Sequence, residues 1–216
     1  MSVVWMSLGN IGVAGGGRNA LRGEANVQGS TDMGVLSNNM PSYMNMPVAS
    51  KHQTLRKWLE AETIAAGYWS NKPKFMVSAL KEIYGPYATL ANDYAYDMLP
   101  KLNTDNHTFI GVFESITKGI VKGMMCWGMN PAVSGPNSSF ERTMLGKLDW
   151  LLAVDLWETE TAGFWKAPGV DPASIKTEVF MLPAAAHYEK QGTISNSGRW
   201  IQWRYKGVEP PGEARD

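Results

Sequence analysis

The stretch that decides the fold reads KGMMCWGMNP, residues 122–131. Its centre, Gly123–Trp127, is a short apolar run with the length of a buried strand, and loop-forming residues follow it at once. Two further apolar runs stand at 150–154 and 178–182, and residues 138–148 between the first two runs have a helical pattern. Strand, helix, strand, loop, strand is the order of a parallel sheet with crossover helices. We therefore predict an α/β fold with a partial parallel sheet.

Helices and loops are predicted for most of the remaining chain. Ser138 or Ser139 is the expected N-cap of the helix that follows the first strand, with Glu141 in its first turn. The other predicted elements are the end of a buried helix at 1–8, a long shaped loop at 19–43, helices at 54–67, 73–84 and 107–119, and extended, hairpin-like segments at 192–205.

These elements divide the chain into four predicted segments. They are a helix end with an active-site loop at 1–50, a helical insert at 51–120, an α/β nucleotide-binding segment at 121–206 and a frayed tail at 207–216.

Composition excludes several classes of function. The chain has 20 Lys and Arg against 20 Asp and Glu, so it lacks the basic excess that a nucleic-acid partner requires. Cys126 is the only cysteine, which excludes an internal disulfide, a thiolate iron–sulfur site and a four-cysteine zinc site. No apolar run reaches the roughly 20 residues of a membrane span. Nine Trp and 13 Met instead point to interfaces inside a larger assembly.

Two strand ends are candidate binding loops. Ligands of open α/β sheets sit beyond the carboxyl ends of the strands, where loops and helix N-termini present N–H groups to anions. Here one strand end carries Gly128, Asn130 and Pro131, and the next carries Asp155 followed by Thr159. An ordinary turn for the first loop, and a helix N-cap for Asp155, remain open alternatives.

Arg22 is the candidate anion-binding side chain. It lies in a loop flanked by glycines, which let backbone approach a ligand closely, and a guanidinium can donate two parallel hydrogen bonds to a carboxylate. The alternative is a loop arginine that pairs with Glu24 or caps carbonyls. His52, His107 and His187 are too widely spaced to predict a metal site from this chain alone.

Several long motifs resemble the catalytic subunit of molybdopterin-dependent formate dehydrogenases, of the dimethyl sulfoxide reductase superfamily, and most of all its respiratory, membrane-associated branch. The motifs are GNIGVAGGG at 9–17, NVQGSTDMG at 26–34, YW…PKF at 68–75, G-x-NP at 128–131, TET at 159–161, TEVF-x-LP at 177–183 and G-x-I-x-NSGRW-x-QW at 192–203. The resemblance covers nearly the whole chain, although Glu24 and Ser42 depart from the usual pattern.

That resemblance implies roles that spacing alone does not give. It implies that formate is oxidised at molybdenum or tungsten held by two molybdopterin guanine dinucleotides, with electrons passing to an iron–sulfur relay. Arg22 would bind the formate carboxylate, and the strand-end loops would hold one guanine dinucleotide arm. Asn196 and Gly198 would belong to a motif near the cofactor channel. The residues assigned to the cofactor in this way are Gly128, Asn130, Pro131, Asp155, Thr159, Asn196 and Gly198.

The resemblance also implies parts that this sequence does not contain. These are a four-cysteine motif for an iron–sulfur cluster, a selenocysteine or cysteine metal ligand, and a C-terminal pterin-binding domain. We therefore expect an internal piece of a larger subunit, inactive alone, with the remainder of that subunit and an iron–sulfur electron-transfer subunit as partners. A periplasmic, membrane-associated complex is expected, with a cytoplasmic location as the alternative. Rival functions are another oxidoreductase of the superfamily and a non-catalytic cofactor-binding or docking module.

Overall fold

The computed structural model describes residues 2–17, 21–103 and 105–216. Residues 1, 18–20 and 104 lie outside the described residues, as do the side chains of Ser2 and Ser42. Met1 belongs to the predicted helix at 1–8, and residues 19 and 20 begin the predicted loop at 19–43. The described chain divides into two compact units, one formed by Met1–Gly29 with Asn106–Asp216 and the other by Ser30–Asp105.

The described residues form helices and strands in mixed order, with four strands in succession at the end. The helices are α1 Ser2–Ser7, α2 Val27–Asp32, α3 Leu55–Glu62, α4 Lys72–Tyr84, α5 Phe109–Thr117, α6 Pro131–Ser134 and α7 Ser138–Leu145. The strands are β1 Asn39–Met40, β2 Met44–Asn45, β3 Gly123–Trp127, β4 Trp150–Asp155, β5 Glu178–Pro183, β6 Gly192–Ser195 and β7 Ile201–Arg204. Short 3₁₀ segments join several of them, the longest at Leu90–Met98.

The sheet of the first unit confirms the predicted α/β class. Strands β3, β4 and β5 pair in that order, and both pairings are parallel. Residues in register project from the same face, so Cys126 and Ala153 lie side by side on the face that builds the core. The buried core residues are Phe113, Ile116, Cys126, Ala132, Met144, Leu145, Leu148, Leu151 and Phe164. The core therefore combines one sheet face with apolar residues of α5, α6 and α7.

The N-cap of helix α7 lies one residue before the first of the two predicted caps. Its N-cap is Asn137, whose side chain accepts a hydrogen bond from the Phe140 N–H, so the prediction of Ser138 or Ser139 was wrong. Asparagine caps helices as well as serine does, and it stands first in the run. The buried Glu141 in turn accepts a hydrogen bond from the Asn137 N–H at 3.3 Å. The side chain and the backbone N–H of Asn137 are therefore both bonded within the first turns of α7.

The terminal segments of the first unit agree with the predictions in part. Helix α1 is present as predicted, but its apolar side chains Val3 and Val4 are exposed rather than buried. The β6 and β7 strands form the predicted hairpin, with Ile194 opposite Gln202. The tail at 207–216, expected to fray, lies against β5 through a hydrogen bond from the Arg215 N–H to the Pro183 carbonyl.

The second unit packs around a buried tryptophan. Trp58 and Tyr96 contact each other with ring centroids 5.7 Å apart, and the Tyr96 hydroxyl donates to the His52 carbonyl at 2.8 Å. Burial raises the pKa of Tyr96 to about 12, so this hydroxyl stays a donor. The buried core residues of this unit are Met40, Met44, Leu55, Trp58, Met76, Leu80, Tyr96 and Leu99.

A left-handed turn lies beside this core. Asp93, Tyr94 and Ala95 have φ values of 50°, 56° and 61°, a conformation that costs non-glycine residues roughly 1–2 kcal/mol each. The side chain of Asn92 offsets this cost, since its oxygen accepts hydrogen bonds from the N–H groups of Thr89 and Ala95. Nothing in the sequence signals the turn.

The second face of the parallel sheet is apolar and open. Met125, Trp127, Phe180 and Leu182 project from it with exposed fractions of 56%, 66%, 45% and 51%. Parallel sheets are usually covered on both faces, and apolar surface of this extent marks an interaction site. Among the described residues, no helix is both long and apolar enough to cross a bilayer.

We predict that this open face makes the chain bind hydrophobic dyes and associate with itself. Replacing Trp127 with Gln and Phe180 with Thr together should lower dye fluorescence and light scattering, because both changes remove apolar area from one face. The control is a Tyr87→Gln, Leu90→Thr double variant, which removes exposed apolar side chains of the second unit. Equal effects of the two double variants would show that the sheet face is not the source.

Candidate functional site

Arg22 is held by a neutral partner. Its Nη2 donates a hydrogen bond of 2.9 Å to Oε1 of Gln28, which lies in the first turn of α2. Gln28 is 3% exposed, whereas Arg22 is exposed. Sequence reasoning offered Glu24 or backbone carbonyls as the alternative partners, and it missed Gln28. The amide leaves the charge of the guanidinium uncompensated by this contact.

The loop that carries Arg22 is attached to the β6–β7 hairpin. Asn26 has a positive φ of 62°, and its Oδ1 accepts a hydrogen bond of 3.0 Å from the Ser195 N–H. The Asn26 amide also passes over Gly29, where a Cβ would meet Oδ1 at only 2.1 Å. Glycine at 29 is therefore required for Asn26 to reach the hairpin.

The hairpin turn is shaped by Asn196. Its Oδ1 accepts from the Trp200 N–H at 3.1 Å, and its carbonyl accepts from the Arg199 N–H at 3.0 Å. A Cβ at Gly198 would lie 3.1 Å from the Trp200 ring and 3.3 Å from the Asn196 amide oxygen. Both predicted hairpin residues thus hold the turn in this conformation, and both face the pocket described next.

A pocket of about 450 Å³ lies between the Arg22 loop and the hairpin. It brings together three of the predicted site residues, Arg22, Asn196 and Gly198, and it adds the side chains of Gln202 and Arg204. Arg204 donates from Nη2 to Oε1 of Gln202 at 2.7 Å. The pocket therefore presents two guanidinium groups, each bonded to a neutral amide, and one carboxylate, that of Glu24. Two cations against one anion favour a negatively charged ligand.

The strand-end residues form a second group at the carboxyl edge of the sheet. Gly128 has a φ of 56°, and its N–H donates to the Val154 carbonyl at 2.9 Å, which continues the strand pairing by one residue. Pro131 is fully buried and begins α6. No residue of this group is among the described residues that line the Arg22 pocket.

Asn130 connects the two strand ends. Its Oδ1 accepts from the Thr161 N–H at 3.1 Å and from the Thr161 hydroxyl at 2.7 Å, and its Nδ2 donates to Glu160 Oε2 at 2.6 Å. The Thr161 hydroxyl in turn accepts from the Ala132 N–H at 3.1 Å. Sequence reasoning singled out Thr159 at this strand end and missed the contacts of Glu160 and Thr161, although all three stand in the TET motif at 159–161.

Asp155 and Thr159 frame the same loop. Asp155 Oδ1 accepts from the Leu156 N–H at 2.7 Å, and its carbonyl accepts from the Ala184 N–H at 3.0 Å. The Thr159 carbonyl accepts from the Gly163 N–H at 2.8 Å. For Asp155 Oδ2, the described residues supply no hydrogen-bond donor.

Two residues at this edge of the sheet have pKa values shifted in opposite directions. The Asn130 amide hydrogen bond holds the pKa of Glu160 below its ordinary value. Burial, with a smaller contribution from Asp155, raises the pKa of Cys126 to about 11, so its thiol is neutral at physiological pH. Among the described residues, no three His, Cys, Asp or Glu side chains cluster as a metal site.

Comparison with known proteins identifies similar chains. No family model matches the sequence. It is 49% identical over 222 residues to formate dehydrogenase 2 subunit alpha (cytochrome c-553) of Nitratidesulfovibrio vulgaris, covering 100% of this chain and 22% of that protein. It is 45% identical over 226 residues to the nitrate-inducible formate dehydrogenase major subunit of Escherichia coli, again covering 100% and 22%.

A more distant similarity extends to archaea. The chain is 30% identical over 209 residues to the F420-dependent formate dehydrogenase subunit alpha of Methanocaldococcus jannaschii, covering 97% of this chain and 23% of that protein. The chain thus matches one segment of formate dehydrogenase alpha or major subunits from end to end, and it spans about a fifth of the length of these curated relatives.

We predict that Asn130→Asp destabilises the fold at neutral pH. The new carboxylate would face Glu160 at hydrogen-bond distance, and two like charges disfavour ionisation of both groups. In the parent chain, the lowered pKa of Glu160 makes a contribution to stability that is present above its ordinary value of 4.5 and is lost as pH falls through the lowered value. The deficit of the variant should therefore shrink below pH 4.5.

Urea unfolding across this pH range measures the effect. The control is Glu160→Gln placed on Asn130→Asp, which removes the repulsion and should restore most of the lost stability. A deficit that is independent of pH, or that survives the control, would contradict this account.

Proposed function

We propose that this chain is part of a formate dehydrogenase catalytic subunit and that its Arg22 pocket binds formate during oxidation to carbon dioxide. The carrying observation is the Arg22 guanidinium, held in a shaped pocket by a neutral amide, in a chain similar over its whole length to formate dehydrogenase alpha subunits. A guanidinium that keeps its charge can donate two parallel hydrogen bonds to the formate carboxylate.

The pocket supports a role for this chain in placing the substrate. In the overall reaction, the C–H bond of formate breaks, and one proton and two electrons leave in total to give carbon dioxide. A cation beside the carboxylate orients the C–H bond and retains the anion where water is excluded, an environment in which the attraction is larger than in bulk water. The volume of about 450 Å³ far exceeds that of formate and leaves room for part of a cofactor.

The strand-end loops fit one arm of a guanine dinucleotide. Asp155 Oδ2 offers a carboxylate acceptor to the N–H groups of a guanine edge, and the neighbouring Trp157 ring is exposed and able to stack on a base. Gly128 has open space where a side chain would stand, so a ligand can approach its backbone. A bound molybdenum or tungsten pterin centre would supply the acceptor for the two electrons.

Individual residues of these loops have distinct proposed roles. Asp155 and the Gly128 backbone would contact the nucleotide, while Asn130 and Pro131 would hold the loop in shape, because their side chains are engaged or buried within it. Thr159 would flank the nucleotide. Asn196 and Gly198 would form the pocket wall opposite Arg22.

Wider assignments extend this proposal. The segments 1–50, 51–120 and 121–206 would serve as active-site loop, helical insert and cofactor-binding segment, and the remainder of the subunit would cover the open sheet face. An iron–sulfur subunit would receive the electrons. The respiratory branch and a periplasmic, membrane-associated complex are the proposed setting, with a cytoplasmic location as the alternative.

In the full-length subunit, replacing Arg22 with Ala should lower kcat/KM for formate. Loss of a charge-assisted, bidentate contact corresponds to on the order of 2–4 kcal/mol, or about 30- to 1,000-fold. Arg22→Lys should recover part of the loss, because it restores charge without the planar fork. Metal and pterin content should stay at the parent level.

The matched control is Arg56→Ala, which removes an exposed guanidinium paired with Glu60 on α3. If Arg22→Ala changes kcat/KM no more than this control does, Arg22 does not bind formate. A larger loss for nitrate or thiosulfate than for formate would instead favour another oxidoreductase of the superfamily.

The 216-residue chain by itself should show no formate oxidation and no stoichiometric molybdenum, tungsten or iron. Its described residues contain no cluster of three or more metal-binding His, Cys, Asp or Glu side chains, and we propose that the metal ligands belong to the remainder of the subunit. Metal analysis and a dye-reduction assay test this. Turnover by the isolated chain would contradict the proposal that it is one part of a larger catalytic unit.

A further inference from the structure

We propose that Gln28 is a positioning residue for substrate binding: it orients the Arg22 guanidinium towards the pocket without neutralising its charge. This inference rests on the proposed function, since it concerns how Arg22 is presented to formate. The observation behind it is the hydrogen bond of 2.9 Å from Arg22 Nη2 to Gln28 Oε1, with both residues lining the same pocket.

Gln28 is buried and Arg22 is exposed, which is the arrangement expected when one residue orients the other. Gln28 is 3% exposed and lies in α2, whereas the Arg22 side chain is exposed. An exposed arginine loses considerable rotamer entropy when it is held in one orientation. A buried acceptor that bonds one end of the guanidinium restricts that freedom before the substrate arrives, which lowers the cost of binding.

The frame around Gln28 is also fixed relative to the opposite wall of the pocket. Asn26, two residues earlier, accepts a hydrogen bond from the Ser195 N–H of β6, which connects the residue just before α2 to the hairpin. Its amide also lies close to Gly29 in α2. The position of Gln28 Oε1 is thus defined with respect to Asn196 and Gly198 across the pocket.

A neutral acceptor serves this purpose better than a carboxylate. A guanidinium has five N–H donors in a planar fork, and one bond from Nη2 leaves four of them for other acceptors. A carboxylate at position 28 would form a charge-assisted, bidentate pair with Arg22 and would compete directly with a carboxylate substrate. Glutamine supplies orientation and leaves the positive charge to the ligand.

Steady-state kinetics of the full-length, cofactor-loaded subunit test the inference with two replacements. Gln28→Glu should raise KM for formate by about 30-fold or more, because the new carboxylate competes for Arg22 at an energy of roughly 2 kcal/mol. Gln28→Met, which removes the acceptor at similar volume, should raise KM by roughly 3- to 10-fold through the loss of one hydrogen bond. The deuterium isotope effect on kcat should stay unchanged in both.

Gln202→Glu is the matched control for charge. Gln202 accepts from Arg204 on the same pocket wall, so this variant adds one negative charge to the pocket without pairing it to Arg22. Its KM should rise several-fold less than that of Gln28→Glu. Equal rises in the two variants would overturn the inference, since they would reflect general repulsion of the anion.

Arg22→Ala, measured alongside, separates this inference from the proposed function. If Arg22→Ala causes the expected loss while Gln28→Glu and Gln28→Met leave KM within about twofold of the parent, Gln28 does not position Arg22 and the function stands. If Arg22→Ala has no effect, both are overturned. Should Gln28→Glu fail to fold, Gln28→Met alone decides, because a merely structural role would lower metal and pterin content and leave KM unchanged.

Discussion

Parallel pairing of β3, β4 and β5 is the constraint that brings the strand-end residues together. Parallel strands cannot be joined by tight turns, so each connection must cross back over the sheet, and all three carboxyl ends meet at one edge. That geometry brings Asn130 to Thr161, which is 31 residues away along the chain. The loops at this edge can then be fixed by side-chain hydrogen bonds instead of by further secondary structure.

Asparagine side chains fix loops at the sheet edge and also at the Arg22 pocket. Asn130 joins two strand ends, Asn26 attaches the Arg22 loop to β6, and Asn196 closes the hairpin turn. Each uses its amide oxygen to satisfy backbone N–H groups that the loop would otherwise leave unpaired. Such contacts define shape, so a residue of a binding loop can be essential to the loop without touching the ligand.

Some strands could be predicted from the sequence, whereas the long-range hydrogen bonds and one helix cap could not, each for a physical reason. Strands β3 and β4 are apolar on both faces, although one face is exposed in this chain, which is why they stood out as continuous runs. The hydrogen bond between Asn26 and Ser195 joins residues 169 apart, and no local pattern encodes such a distance. Cap choice also failed locally, because Asn137 competes with two adjacent serines of similar capping strength.

Two cations of this chain show how a structural charge differs from one available to a ligand. Lys72 is 3% exposed, its Nζ bonds Glu62 at 2.9 Å, and the Trp58 ring centroid lies 5.3 Å away. Burial raises the pKa of Glu62, but hydrogen bonds from Lys72 and Asn45 outweigh it and leave that pKa below its ordinary value. Glu62 is therefore a carboxylate at neutral pH and compensates the charge of Lys72 inside the second unit.

Arg22 has the opposite arrangement. Its guanidinium is exposed to a pocket and bonds the neutral oxygen of Gln28, so the contact supplies direction without compensating charge. Compensation of a buried cation is what stability demands, because an unpaired buried charge is costly. An exposed cation carries no such cost, and its uncompensated charge is available to an anion that arrives from solution. The partner of each cation, a carboxylate for Lys72 and an amide for Arg22, therefore distinguishes a charge that is compensated within the fold from the one proposed to bind a ligand.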